Sequence, residues 1–412
     1  VSIADFSGRV RPDACPGALQ VHEAADGPLA RVRLPGGAVS AAQLRELAAC
    51  ATDLGSGVIE LTSRANVQVR GLRSATAFAE RMAFVGLLPS AAHERVRNIV
   101  ASPLSGRGPA GLLDTQPLVE ALDQALCACL RLAGLPGRFL FALDDGSGDV
   151  VGLGADVTFV GGTGRLLLAG RDSGLSLRGE AAVSYMIAAA EAFLDERESA
   201  SALDTEVRQE SASVREGEAQ RDSTAWRIGE LEDGAARIAA RLGGVAVDSP
   251  PFAPETRGAG LTEQRDGRVA LEAVVPLGRL TAAQARAIAA AAESGVAVRL
   301  TPWRTVVLLD LPPSHADHVA RALDAAGLVT DPASPWVGVT ACTGRPGCAK
   351  ALADVREDAR RWVADRDGPT AMPVHWAGCE RRCGLPRGPV IQMVATADGY
   401  VAATDGHVTT TD

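Results

Sequence analysis

The chain has 412 residues, 47% hydrophobic and 22% charged, which is a globular composition with enough apolar content for two or three domain-sized cores. Its formal charge of −9 argues against a nucleic-acid partner or an anionic membrane surface, and no apolar run is long enough to span a bilayer. Eight cysteines are too few for a disulfide scaffold of this length, so a reducing cytoplasm and free thiols are expected.

Residues 1–10 lack a basic region followed by an apolar core, and no secretory signal is read there. Cys15 precedes Pro16-Gly17 in a turn and suggests no chemistry by itself. From Arg33 to Gln43 the chain reads as an apolar strand, a Pro/Gly turn, a Ser40 cap and an Ala/Leu-rich helix. A β-rich segment follows over 58–70, then a second helix ending at Gly86-Leu87. The same order returns about 240 residues later, a period that means domain duplication rather than a solenoid. There Thr281 is the cap, 296–309 the β-rich segment and Gly327-Leu328 the end of the second helix. Strand, helix, strand, strand, helix is half of a ferredoxin-like α+β unit, and two copies can share a sheet.

Each half-unit leads into an α/β stretch. After the first come a strand at 98–101 and a helix over 115–132, capped by Thr115 and stopped at Gly134. Strands at 139–143, 156–160 and 166–169 and a helix over 180–196 follow. Residues 197–223 are rich in Ser, Glu and Arg and read as a solvated linker or a helix extension; the Pro-rich stretch 249–254 opens the second half. After the second half-unit come a strand at 337–341, a helix over 347–362, and strands near 374 and at 390–394. The division expected is 13–88 and 257–330 for the half-domains, 89–196 and 331–412 for the α/β units, and 197–256 for the connection.

The strongest chemical signal is near the C-terminus: Cys342-x5-Cys348, thirty residues, then Cys379-x3-Cys383. Four soft thiolates on short Gly- and Pro-containing loops suit an iron–sulfur cluster, whereas zinc ribbons use C-x2-C pairs. Cys348 is read at a helix start, where the positive dipole end favours a thiolate. Arg345, Arg381, Arg382 and Arg387 are near enough in sequence to offset cluster charge. Cys50, Cys127 and Cys129 read as packing residues on helices. Gly152-Leu-Gly154 lacks the third glycine and the following helix of a dinucleotide site, so no nicotinamide site is read.

This cysteine spacing, at the end of a duplicated half-domain and α/β chain, resembles the nitrite/sulfite reductase superfamily from about Asp13 to Val401. Three strings resemble, within it, the precorrin-3B synthases of aerobic cobalamin biosynthesis: Arg11-Pro-Asp-Ala-Cys-Pro-Gly17, Leu61-Thr-Ser-Arg-Ala-Asn-Val-Gln68 and His375-Trp-Ala-Gly-Cys-Glu-Arg-Arg-Cys-Gly384. The resemblance implies that Cys342, Cys348, Cys379 and Cys383 bind a [4Fe–4S] cluster, with Cys383 at the position that bridges to iron in sirohaem members. It implies a second iron centre, non-haem iron or sirohaem. Arg64 and Arg97 match arginines that hold tetrapyrrole carboxylates or a substrate anion, and Arg138 matches an active-site lysine. The reductases' second lysine falls on Leu140, which speaks against reduction of a small oxyanion.

A tetrapyrrole is an apolar macrocycle fringed with carboxylates, which forked guanidinium donors suit. Arg64, Arg70, Arg97, Arg107 and Arg138 sit at strand ends or adjoining loops of the first half, with Asn66 and Gln68 as neutral donors beside Arg64. The implied reaction is a monooxygenation of precorrin-3A by dioxygen with lactone formation, electrons coming from a separate ferredoxin or NAD(P)H-dependent reductase. His375 and Glu380 are candidates for a His/carboxylate iron site, although a structural histidine is the stronger reading. The alternative function is a sirohaem-dependent sulfite or nitrite reductase. No catalytic residue is assigned.

Overall fold

A computed structural model describes residues 13–211, 225–248, 258–292, 295–404 and 407–409. The expectations for 1–10, 212–223 and 249–254 lie outside the described residues. Among those described, no helix is long and apolar enough to cross a membrane.

Four five-stranded sheets make up two matched pairs. The first half-domain sheet runs His22–Ala24, Gly27–Val32, Val67–Val69, Val58–Leu61 and then Arg279–Thr281, which comes from the second repeat. The second runs Gly260–Glu263, Val269–Val274, Thr305–Leu311, Ala297–Leu300 and then Ala38–Val39 from the first. Each repeat therefore completes the other's sheet, in the antiparallel registers Arg279↔Glu60 and Val298↔Val39. One apolar core runs through both, from Ala30, Leu47 and Phe78 to Ile288, Leu308 and Leu323. The duplicated half-domains and the α+β class are thus as the sequence implied.

The helices Ala41–Leu54 and Ala282–Ala291 start alike. Ser40 and Thr281 accept from the backbone N–H of Gln43 and Gln284, and each glutamine accepts the cap residue's own N–H, closing a capping box. The free amide end of each glutamine donates to the end of its repeat's second helix, Gln43 to Val85 O at 3.0 Å and Gln284 to Gly327 O at 2.9 Å.

The α/β units also match. In the first, Ile99–Ala101, Phe141–Asp144 and Val157–Val160 are parallel, with Arg165–Leu168 and Arg171–Ser176 added antiparallel. In the second, Val339–Ala341, Val374–Ala377 and Ile391–Thr396 are parallel, followed by antiparallel Gly399–Thr404 and His407–Thr409.

Three helix boundaries differ from expectation. The helix expected over 115–132 runs Gln116–Ala128 and gives way to a 3-10 segment, Leu130–Gly134; the Thr115 hydroxyl donates to Ser105 Oγ at 2.8 Å instead of capping. The helix from Glu180 continues to Ser211, which takes up part of the connection as helix. The helix expected from Gly347 starts only at Val355, capped by Asp354, so Cys348 lies in a turn and gains nothing from a helix dipole. The backbone of 344–352 is committed elsewhere: Cys348 N donates to Gly344 O, Arg345 N to Ala353 O and Leu352 N to Gly378 O.

Candidate functional site

The four C-terminal cysteines converge because parallel strands end side by side. Cys342 directly follows Val339–Ala341, and Cys379 comes two residues after Val374–Ala377. Between them, Gly378 N donates to Cys342 Sγ at 3.1 Å, the kind of N–H···S contact that stabilises a thiolate. A Cβ on Gly378 would lie 2.7 Å from the Ala351 Cβ, so only glycine lets the Cys348 and Cys379 loops approach. Burial pushes the Cys383 thiol up, Arg381 pulls it back, and the thiols of Cys342, Cys379 and Cys348 push it further, so all four share one space. No three of these sulfurs lie within 4.8 Å of one another, the spacing that would mark a single-ion site. A tetrahedral zinc would draw its sulfurs to about 3.8 Å apart, from a Zn–S bond of about 2.3 Å. The quartet is more open than a single-ion site, and four thiolates are the donor set that an iron–sulfur cuboid needs. In the first α/β unit, the matching strand ends carry Ser102 and the buried Asp144 and Asp145, with the buried Asp149 in the loop that follows.

The chain holds its candidate arginines in two ways. Arg97, Arg70 and Arg107 each make a forked pair with a carboxylate: Arg97 with Asp123 at 2.7 and 2.6 Å, Arg70 with Asp26 at 2.7 Å twice, Arg107 with Asp310 at 2.8 and 2.9 Å. Arg97 was expected to hold a ligand carboxylate. Its guanidinium is buried on Asp123 instead, and this corrects the expectation. Arg70 also donates to Gly347 O at 2.8 Å and fastens the Cys348 loop to the first sheet.

The other arginines face one another. Arg64 donates to Gly137 O at 3.1 Å and, among the described residues, has no carboxylate in hydrogen-bond reach. Burial, then Arg227, lower it to about 10. Arg33 gives its protons to the carbonyls of Pro16 and Arg95, and its buried Nη1 has no partner. Burial and then Arg31 and Arg64 hold Arg33 well below its ordinary value. Arg31 is lowered by burial and by Arg138. Arg387, on the loop after Cys383, is lowered by burial and by Arg227. Arg138 is exposed, with its guanidinium 4.9 Å from the Trp226 ring. These cations are desolvated and repel one another, with Asp13, Glu60, Glu94 and Asp156 offsetting part of the repulsion; Arg227 itself is paired with Asp156 at 2.6 Å. Sequence reasoning missed Arg31, Arg33 and Arg227. The string Arg31-Val-Arg33 alternates outward and core positions on a strand, which gave no sign that both guanidiniums meet Arg64.

Asn66 and Gln68 have structural partners. Asn66 Oδ1 accepts from Leu34 N at 2.9 Å and its Nδ2 donates to Asn98 Oδ1 at 3.1 Å, so this buried amide is committed to the fold through its oxygen and one of its two N–H donors. Gln68 Oε1 accepts from Arg31 Nη2 at 2.9 Å, and its Nε2 donates to Glu60 at 2.8 Å. Arg64 is set by a local turn in which Thr62 Oγ1 accepts from the N–H groups of Arg64 and Asn66 and Ala65 is left-handed at φ 56°. The second repeat builds the same turn on Thr301, with Arg304 left-handed at φ 63°. Arg304 donates to Gly384 O at 2.8 Å, beneath the Cys383 loop.

His375 and Glu380 do not converge. His375 is fully buried, with Nδ1 2.9 Å from Thr340 Oγ1, and burial with Arg304 keeps it neutral by lowering it to about 3. Glu380 is exposed. These two residues do not fit a His/carboxylate iron site. Leu140 packs in a small apolar cluster with Val100, Ala142 and Val150, and its N–H donates to Asp156 at 2.8 Å. Cys50 is buried against the shared core, as a packing residue should be.

Comparison with known proteins gives the same frame. A family profile, the nitrite/sulfite reductase ferredoxin-like half domain, matches residues 22–78 and 262–326. A precorrin-3B synthase of Sinorhizobium sp is 28% identical over 96% of this chain and 83% of its own length. A ferredoxin–nitrite reductase of Synechococcus elongatus is 27% identical over 87% of this chain and 74% of its own. The structure of the Mycobacterium tuberculosis NirA protein superposes with a TM-score of 0.71 at 22% identity, covering 92% of this chain and 75% of that one, a likeness of fold. The two repeats are nitrite/sulfite reductase ferredoxin-like half-domains, and these relatives are oxidoreductases.

Proposed function

We propose that this chain is a precorrin-3B synthase, which oxygenates a carboxylate-fringed tetrapyrrole, precorrin-3A, and closes a lactone on it. The observation that carries the reading is the presence together of four converging cysteines and a group of arginines, Arg31, Arg33 and Arg64, with no hydrogen-bonded carboxylate among the described residues. Cys342, Cys348, Cys379 and Cys383 would hold a [4Fe–4S] cluster, which would supply electrons one at a time when bound. The chain's own residues bind and orient. Arg31, Arg64, Arg138 and Arg387 would line a hollow that takes the acetate and propionate groups, with Arg33 buried behind them, and the Thr62 turn fixes the direction in which Arg64 points. Substrate carboxylates relieve the repulsion among these cations, so binding energy is concentrated where the ring must be placed. The electrons come from a separate donor, a ferredoxin or an NAD(P)H-dependent reductase.

The test is a single turnover. The chain with its iron assembled, incubated with reductant and precorrin-3A and then exposed to dioxygen, is expected to give a product heavier by one oxygen atom. An unchanged mass with the cluster intact overturns the assignment. Likeness to the nitrite reductase across most of the chain supports a second reading, a sirohaem-dependent sulfite or nitrite reductase. Leu140, buried and apolar where that chemistry uses a lysine, weighs against it. Strong haem bands in the visible spectrum select the reductase, and broad iron–sulfur absorption alone selects the synthase.

A further inference from the structure

A line of hydrogen bonds connects the cysteine quartet to the arginine hollow through the contact between the second α/β unit and the first half-domain. Arg356 Nε donates to the carbonyl oxygen of Cys342 at 3.3 Å, and its Nη2 donates to Glu60 Oε1 at 2.6 Å. Glu60 Oε2 accepts from Gln68 Nε2 at 2.8 Å. Gln68 Oε1 then accepts from Arg31 at 2.9 Å (Nη2) and 3.3 Å (Nε). Glu60 is only 5% exposed. The amide of Gln68 has no choice of orientation, because arginine only donates and a carboxylate only accepts. Each charge in the line is therefore fixed in place, and the medium around it is poor in water.

We infer that Glu60 and Arg356 are positioning residues that couple the charge on the cysteine quartet to the anion-binding cation Arg31. The inference rests on the reading above, in which the quartet holds an iron–sulfur cluster and the hollow a polycarboxylate. Arg356 sets a positive charge beside Cys342 and favours the reduced, more negative cluster. Glu60 offsets that charge and also holds Arg31 through Gln68. A polyanion bound at Arg31 draws on the same line, so substrate occupancy and cluster potential are linked in both directions.

The experiment measures the midpoint potential of the cluster in the full chain by redox titration followed by electron paramagnetic resonance. Glu60→Gln keeps the shape and removes the negative charge, so the potential should rise. Arg356→Gln leaves Glu60 unopposed, so it should fall. Each shift is expected to be about tenfold in the oxidised-to-reduced ratio, about 59 mV for one electron. Arg356→Lys keeps the charge and should stay near wild type, which tests the coupling even if Glu60→Gln does not fold. Uroporphyrin, an octacarboxylate, should lower the wild-type potential and do so less in Gln68→Leu. Shifts of equal sign in the two glutamine variants, or no shift in iron-loaded chains, overturn the coupling alone. A wild-type chain that assembles no four-iron cluster overturns the underlying reading and the coupling with it.

Discussion

A guanidinium held by a carboxylate and a guanidinium held among other guanidiniums respond differently to truncation. Arg97→Ala leaves Asp123 without its partner in a mostly buried site, a loss of about 3–5 kcal/mol. Thermal melts should show that loss, and the protein that remains folded should still bind uroporphyrin. Arg64→Ala removes a cation that its neighbours repel. It should leave the melting temperature unchanged or higher and weaken uroporphyrin binding about tenfold or more in calorimetry, since one hydrogen bond to a charged group contributes about 1.5–3 kcal/mol. Equal destabilisation by both variants would contradict the division of the arginines into two classes. Sequence could not make that division: Arg64 and Arg97 look alike until Asp123, on the helix Gln116–Ala128, is brought to one and not to the other. The cysteines separate in the same way. Burial pushes the Cys50 thiol up to about 12, so in the folded metal-free chain at pH 8 iodoacetamide should leave it unlabelled while the exposed Cys383 reacts. Labelling of Cys50 at a comparable rate would show that this core opens.

At the scale of elements, the repeat was visible because its signals are local: a Ser or Thr cap, a glutamine three residues on, an apolar helix. The second contact of each glutamine was not, because it depends on where a helix forty residues later ends. Gln43→Ala and Gln284→Ala should each cost about 1–2 kcal/mol in denaturant unfolding, one cap hydrogen bond and one tertiary one. A cost in one repeat only would contradict the equivalence of the two starts. The helix over 347–362 failed for the opposite reason. Residues 349–354 have helix-forming side chains, yet their loop is pinned to Gly344 and Gly378 so that Cys348 can face the other three cysteines. Tertiary demand at the site outweighs propensity there.

At the scale of the whole molecule, the strands that join the repeats, Ala38–Val39 and Arg279–Thr281, are too short to be read from pattern, and their partners lie in the other repeat. The exchange makes the two half-domains one cooperative body. A fragment of residues 13–248 lacks the Arg279–Thr281 strand and half of the shared core, so it should show no cooperative unfolding of its first sheet; a sharp transition would contradict the shared core. The same exchange sets Glu60, beside Arg279 at the sheet edge, against Arg356 of the cysteine-bearing unit. The duplication thus brings the hollow and the quartet together, whereas the sequence shows them as separate motifs. All of this depends on four sulfurs sharing one inorganic body. The most direct measurement is an iron and acid-labile sulfide count on the full chain after anaerobic assembly, beside Cys379→Ser. The account predicts four sulfides and at least four irons per chain and loss of the sulfides in the variant; a single zinc, or a full cluster retained without Cys379, would contradict it.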